Sequence, residues 1–546
     1  MTNKTEKAPY SMSEFITDAS RNYLNSVDWS SPPPLRRMAA GLLNEIAEMI
    51  DGHNSVCARE WKWKIPDTLQ PAQIADLLLA THRIANISPT NGRNGNCLLA
   101  IYREDGPDMG TYSTDSQNIR ELARECNCLI KSRELDEVML VLRDRAPCIT
   151  ECSDRDLVPV NNGIFNYRTK RLLPFSPDRV FLRKCRVGYV AGPVNPVLHN
   201  PDDGTDWDVE SWMLELTGDP EITELLWEIA GAIVRPYVSW DKMAMLYAEK
   251  GNNGKGTFCR MLKNLCGEGN YASIPMQDFS REFLLEPLIH ATAVIVDENN
   301  VGGFIEASAN LKAVVTNDTV QINRKFKQPV YYRFHGFMVQ CVNEMPRVRD
   351  KSDSFYRRLI PIPFPNCFTG KERKYIKDDY LGRKEVLEYI LWRVLHMDYY
   401  EFSVPGACRA ALAEYKATND PVRQFWAELR DEFAWDLLPF DFLYELYKKW
   451  FQESNPSGGV EGRQNFIKNI RNAVSGDPDW AATDKPMATA QRMNGPERLI
   501  CRYNVEKWKR EGTTASLNRD RIASPELKGP YRGIYRKTAA DAIGGC

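Results

Sequence analysis

The sequence predicts an α/β fold, and three observations carry that prediction. The apolar run Met243 to Tyr247 leads into the Gly-rich stretch Gly251-Asn252-Asn253-Gly254-Lys255-Gly256-Thr257. Phe258, Met261, Leu262 and Leu265 follow at i, i+3, i+4 and i+7, the spacing of one helix face. Some forty residues on, a second apolar run, Ala291 to Val296, ends in Asp297-Glu298. From 243 to about 365, apolar runs keep alternating with helical patterns, as in a sheet covered by helices.

Strand, Gly-rich loop with Gly-Lys, then helix is the context of a phosphate-binding loop. Glycines let backbone N–H groups close around phosphate oxygens, and the helix N-terminus adds unpaired N–H groups and a positive dipole end. Lys255 would bridge the terminal phosphates. The match departs from the usual pattern at two places. Glu249 stands where the first glycine is expected, and Gly256 follows the lysine, so the hydroxyl is displaced to Thr257. An ordinary turn can also carry a Gly-Lys pair, so the neighbouring motifs decide.

Asp297, at the C-terminal end of a strand, is placed to hold Mg²⁺, and Glu298 to orient an attacking water. A third apolar run, Gly336 to Val342, ends in Asn343, whose amide can reach a γ-phosphate or the water. Ser354-Phe355-Tyr356-Arg357-Arg358 precedes the apolar run Leu359 to Phe364. An arginine there can project onto the ATP of a neighbouring subunit and stabilise transition-state charge. Between these lies Thr319 to Val330, an alternating hairpin pattern with Arg324, Lys325 and Lys327 near its tip, suited to phosphate-backbone contact without sequence reading. Taken singly, each has a plain structural reading: an acidic turn, a turn asparagine, a surface arginine pair, a solvated hairpin tip.

Composition narrows the class. At 546 residues the chain has room for several domains. A net charge of −2 excludes a polybasic nucleic-acid binder, so any nucleic-acid surface must be local. The 14 cysteines lack zinc-knuckle spacing and read as reduced, mostly buried thiols. The N-terminus lacks an apolar signal core and no run of 18 apolar residues occurs, which predicts no membrane contact and a reducing cytosol.

In chain order, residues 1–70 read as a helical extension, with helical periodicity from Met38 to Ile50. Trp61 and Trp63 read as aromatics packed on the next domain, though stacking on bases would also suit them. Residues 71–200 mix helices (Ile74 to Ile84, Ile119 to Ile130, Leu135 to Leu142) with a strand at Leu98 to Tyr102. Val158 to Tyr167 reads as a strand–turn–strand around Asn162-Gly163, and Asp154-Arg155-Asp156 as a solvated turn. A linker covers Val194 to Thr205. Residues 201–242 form a helical segment in which Asp219-Pro220-Glu221 supplies an N-cap, a first-turn proline and an acid. Residues 243–404 hold the phosphate-loop core, with a helix from Val386 to Leu395. Residues 405–546 change character, with aromatic-rich helices Pro421–Phe433 and Phe440–Phe451 and a basic helix from Arg463 to Val474. Residues 441–546 carry 18 Lys and Arg against 13 Asp and Glu, about five charges positive.

The order of these motifs resembles superfamily 3 DNA helicases of the phage and plasmid primase–helicase family, related to poxvirus-type ATPases. The resemblance covers about 75–400 and is looser beyond 405. It implies an AAA+-like P-loop ATPase core with a mixed α+β pre-helicase domain ahead of it, a helical collar, and a C-terminal winged-helix-like DNA-binding domain. It further implies a ring, usually hexameric, with ATP and Mg²⁺ at each subunit interface. Gly251 to Thr257 would bind phosphates, Thr257 and Asp297 the metal, and Asn343 would sense the γ-phosphate. Arg357 or Arg358 would reach in from the neighbour, and Arg324, Lys325 and Lys327 would grip one DNA strand. The expected activity is ATP-dependent unwinding, 3′ to 5′, on single-stranded and forked DNA in a bacterial host cytosol. A separate primase, polymerase or loader would be a partner. Two alternatives stay open. One is a bifunctional primase–helicase, for which the roughly 70 leading residues are few. The other is an origin-binding protein whose ATP site only drives assembly.

Overall fold

In the computed structural model, the described residues are 11–56, 58–88, 97–248, 250–299, 304–305, 308–325, 327–348, 350, 352–454, 460–510, 519–527 and 529–537. They divide into two compact units, one of residues 1–300, 309–343 and 364–403, the other of 301–308, 344–363 and 404–546.

The first unit begins with two amphipathic helices, Met12–Ser26 and Leu35–Val56. Ser11 and Glu14 form a capping box that satisfies two otherwise orphaned N–H groups at the first helix start. Ile16, Met38, Leu42, Ile46 and Ile50 turn inward and share a core with Ile74 and Leu78 of the helix Pro71–Thr81. Trp63 stacks on His53 at 3.9 Å between ring centroids, while Trp61 is exposed. The helix expected to run to Ile84 stops at Thr81, because Ile84 opens the strand Ile84–Ser88, buried along its whole length. That strand pairs antiparallel with Leu98–Tyr102 and parallel with Cys148–Thr150. Ile84 falls seven residues after Leu77, across the polar Thr81-His82-Arg83, and periodicity alone does not mark where a helix yields to a strand.

The expected strand–turn–strand is present as Leu157–Val160 against Gly163–Asn166, extended by Arg171–Leu173. The turn before it differs from expectation. Asp156 is buried rather than solvated, and its carboxylate accepts a 2.6 Å hydrogen bond from the Tyr400 hydroxyl. The linker also holds local order, a hairpin of Leu198–Asn200 and Thr205–Trp207. Helix Pro220–Val234 starts as expected, with the Asp219 side chain accepting from the N–H groups of Glu221 and Ile222.

A parallel sheet follows. Within the first unit its strands run in the order Tyr271–Ala272, Ala293–Val296, Phe337–Val342, Met243–Tyr247. The acidic strand therefore does not adjoin the strand that feeds the Gly-rich loop; the strand ending at Asn343 lies between. All three long strands are buried apart from Tyr247, as expected for parallel strands covered on both faces. The basic hairpin pairs Thr319–Arg324 with Lys327–Arg333, and an irregularity between Ile322 and Arg324 kinks it near the tip.

The base of that hairpin is fastened by a buried polar cluster. Arg183 donates to Glu151 at 3.2 Å, to the Ile289 carbonyl at 2.8 Å and, in a very short bond, to the Tyr332 hydroxyl. Tyr237 also donates to Glu151, at 3.1 Å. Burial raises the Glu151 carboxyl and the Arg183 charge opposes it. Removing one partner of such a pair costs about 3–5 kcal/mol, because the other charge is left buried alone.

The second unit contains an aromatic core around helices Pro421–Leu429, Phe440–Ser454 and Arg463–Val474. Phe425, Trp426, Phe433, Trp435, Tyr447, Trp450 and Phe466 pack together there. A small antiparallel sheet completes it, in the order Leu437–Pro439, Gly533–Arg536, Trp480–Ala482. No helix among the described residues is long and apolar enough to cross a membrane.

The polar cluster generates a pH prediction. His335 lies 5.3 Å from the Tyr237 ring, and burial, then the charges of Arg183 and Arg333, push its imidazole down to about 3. A base depressed below its unfolded value of about 6.5 contributes stability that is full above that pH. This contribution falls as pH drops toward about 3, because unfolding then takes up a proton. Urea denaturation of the protein and of His335→Gln should show a stability difference that shrinks from pH 7 to pH 4. A difference independent of pH would contradict this placement.

Candidate functional site

The Gly-rich loop is built from left-handed backbone and from its two asparagines. Asn252 has φ +53° and Gly254 φ +85°, and a Cβ on Gly254 would lie 2.6 Å from the Leu216 side chain. Gly254 caps the helix Lys255–Cys266, whose first-turn N–H groups face the loop. Asn253 is buried; its amide donates to the Lys250 carbonyl and its oxygen accepts from the Lys255 N–H at 3.4 Å. The Asn252 amide donates to Thr369 and Glu372, and the Phe368 N–H donates to the Asn252 carbonyl at 2.7 Å. Both asparagine side chains thus brace the loop, which leaves backbone N–H groups and Lys255 as its ligand-facing chemistry. A Cβ on Gly251 would meet nothing within 4 Å. Glu249 lies outside the described residues.

Three strand ends converge on Lys255. Its ammonium donates to the Asn343 side-chain oxygen at 3.2 Å and to the Ala248 carbonyl at 3.4 Å. Burial holds the ammonium below its ordinary pKa, while Cys341, Asp297 and Cys259 pull it back up. Asp297 is half-buried, and Glu298 and Asn343 are exposed. Gly256 has a steric explanation here. A Cβ on it would stand 2.9 Å from an Asp297 carboxylate oxygen, so glycine lets the acid approach the helix start. Lys255, Gly256, Asp297 and Asn343 therefore form one cluster, with Thr257 one residue further along the helix.

The hairpin residues diverge. Lys325 is exposed at the turn, and the Lys327 side chain lies outside those described. Arg324 instead lines a cavity of about 1170 Å³ together with Arg143 and Glu286. Burial lowers its pKa, Glu286 raises it and Arg143 lowers it further. In the second unit, Arg357 is exposed, whereas Arg358 donates to the Ser354 hydroxyl at 2.8 Å and to the Ser354 carbonyl. In the basic helix, Arg463 pairs with Asp441 at 2.6 Å and Arg471 donates to the Thr483 carbonyl at 2.9 Å. Lys468 on that helix is exposed.

Sequence reasoning missed three contributors. Asn299 donates to Gln340 at 3.0 Å and to the Cys341 carbonyl at 2.9 Å, tying the segment after Asp297 to the neighbouring strand. Gln340 is fully buried and donates to the Ile274 carbonyl at 3.1 Å. A polar residue directly after the two acids was a usable signal for Asn299; a lone glutamine inside an apolar run carried none. Phe283 is 49% exposed and holds φ +65°. A bulky residue in that region costs on the order of 1–3 kcal/mol and marks a candidate contact.

Comparisons with known proteins fall on the same parts. A profile of a family of unknown function (DUF5906) matches residues 246–358. A "D5 N terminal like" profile matches 36–227, and a "Poxvirus D5 protein-like" profile matches 417–510. Protein 121R of Invertebrate iridescent virus 3, a helicase by name, is 21% identical over 278 residues. That match takes in 42% of this chain and 29% of the viral protein, so the chain spans under a third of its curated relative's length. An apo structure of the NrS-1 C-terminal region aligns at 16% identity with a TM-score of 0.40, over 74% of this chain and 87% of that one. Another form aligns at 15% identity with a TM-score of 0.41, over 86% and 100%. D5-type profiles thus match on both sides of the segment that carries the Gly-rich loop, and the chain is similar to D5-type proteins in those two parts.

Proposed function

We propose that this chain is an ATP-dependent DNA helicase, and one observation carries the reading: the lysine of a Gly-rich loop hydrogen-bonded to the amide of Asn343, beside Asp297. Backbone N–H groups of the loop would receive the phosphates of ATP, with Lys255 on the terminal oxygens. The Asp297 carboxylate, packed at the start of the loop helix, is a hard oxygen ligand of the kind magnesium takes, and the Thr257 hydroxyl would supply a second. Magnesium would neutralise charge on the phosphate oxygens. Glu298, exposed next to Asp297, would orient the attacking water and accept its proton. On loss of the γ-phosphate, Asn343 would regain Lys255 as a partner, which links hydrolysis to movement of that strand end.

Arg357, which is exposed, or Arg358, whose guanidinium donates to Ser354, would be the finger onto a neighbour's ATP. Lys325 and Lys327 would track a phosphate backbone, and Phe283 offers a face for base stacking. Family resemblance adds a hexameric ring, 3′ to 5′ movement, a winged-helix-like role for residues 405–546 and replication of a phage or mobile element. An ATP site completed by a neighbour predicts poor hydrolysis by isolated subunits.

Strand displacement on a forked duplex tests this. Lys255→Ala should lose ATP hydrolysis by several orders of magnitude and unwinding with it. Lys325→Ala with Lys327→Ala should keep hydrolysis and lose unwinding. Normal unwinding by the hairpin variant would remove the hairpin assignment; ATP turnover without unwinding by the unaltered protein would favour an ATP-switched DNA-binding protein.

The Gly256 geometry yields a second prediction. Gly256→Ser restores the commoner Gly-Lys-Ser pattern, yet its Cβ would crowd the Asp297 carboxylate. Turnover should fall on the order of 10- to 100-fold, since displacement of a catalytic group by about 1 Å has that effect. Steady-state ATPase assays showing equal or faster turnover would contradict it.

A further inference from the structure

Two cysteines distant in sequence meet behind the phosphate loop. Cys259 lies on the helix Lys255–Cys266 and Cys341 on the strand Phe337–Val342, and their sulfurs are 3.3 Å apart. Both are shielded from solvent, at 0% and 1% exposure. Asp297 joins them, because Val296 is registered with Gln340 and the next residue emerges beside Cys341. One donor atom from each of Cys259, Asp297 and Cys341 lies within 4.8 Å of the other two.

The donor chemistry differs from what magnesium prefers. Two sulfurs and one carboxylate oxygen suit a soft, tetrahedral cation, whereas magnesium takes oxygens in octahedral geometry. Zinc at about 2.3 Å from each sulfur sets the two roughly 3.8 Å apart. The pair at 3.3 Å needs to open by about half an ångström to meet that spacing. A carboxylate oxygen at about 2.0–2.2 Å supplies the third ligand, and a fourth position stays open for water or a phosphate oxygen.

We propose that Cys259, Cys341 and Asp297 form a binding site for a thiophilic divalent cation of the zinc class. Binding releases both thiol protons to solvent and leaves two thiolates and one carboxylate on the metal. Occupancy withdraws Asp297 from the phosphate site, a consequence that rests on the ATPase reading above. Magnesium and the thiophilic ion then compete for one carboxylate while differing in every other ligand.

The probe is cadmium, followed by the ultraviolet sulfur-to-cadmium charge-transfer band, on the full reduced chain. The chain carries Cys97→Ser and Cys148→Ser, because those two sulfurs also lie close, at 3.5 Å. One tight equivalent should bind; Cys259→Ala and, separately, Cys341→Ala should each lose it, and Cys266→Ala should keep it. Zinc X-ray absorption of the same background should show two sulfur neighbours, a measurement that needs no change to the three ligands. A zinc shell of nitrogen and oxygen alone, or unchanged tight cadmium uptake by folded alanine variants, overturns the site. In ATPase assays, zinc should inhibit, with at least tenfold more needed for Cys259→Ala. Tight binding without inhibition overturns the competition; tight binding by a protein with no ATPase under any metal leaves the site standing and removes the ATPase reading.

Discussion

The Lys255 side chain is buried, and most of the candidate site follows from the need to surround its charge with acceptors. A buried cation is costly unless acceptors surround it. Three parallel strands end at one edge of the sheet: the Ala248 carbonyl after the first and the Asn343 amide oxygen after the second accept from the ammonium, and the Asp297 carboxylate after the third attracts its charge. Only the ends of parallel strands bring residues from three distant segments to one place. The asparagines of the loop then have a structural task, since a loop held by Asn252 and Asn253 presents Lys255 in one position.

A second buried charge ties the basic hairpin to the rest of its unit. Arg183 contacts Glu151, the Ile289 carbonyl and Tyr332, and Tyr332 sits on the returning strand of the hairpin. The tip therefore extends from a rigid base. Arg324, one residue before the exposed Lys325, turns into a cavity where Glu286 draws it and Arg143 repels it. Three cations adjacent in sequence thus need not share one task.

The second unit shows the same economy. Helix Arg463–Val474 looks basic in sequence, but Arg463 is bound to Asp441 and Arg471 to the Thr483 carbonyl, with its guanidinium 5.0 Å from the Phe440 ring. Exposed ion pairs of this kind contribute little to stability. Their effect is to orient the helix against an aromatic core. Lys468 is a further exposed cation of this helix.

Several elements were legible in the amino-acid order: the helix starting at Asp219-Pro220, the strand–turn–strand around Asn162-Gly163, the basic hairpin, and the strand-end positions of Asp297 and Asn343. These are local signals, a cap, a turn dipeptide, a period, an apolar run with a polar end, and local signals survive in one dimension. The end of the helix at Thr81 did not show, because Ile84, the first residue of a strand, keeps the helical i+7 spacing from Leu77. Nor did the buried state of Asp156, the role of Gln340, or the meeting of Cys259 with Cys341 across 82 residues. Cysteine spacing in the chain pointed to scattered thiols, since it measures neighbours along the backbone only. By itself the sequence determined that a Gly-Lys loop, two acids, an amide, a basic hairpin and an arginine pair occur in a set order. Tertiary structure alone decided that Gly256 makes room for Asp297 and that Arg358 donates to Ser354. The order of residues is a property of the chain, but the distance between a side chain and its neighbour is set by strand register and packing.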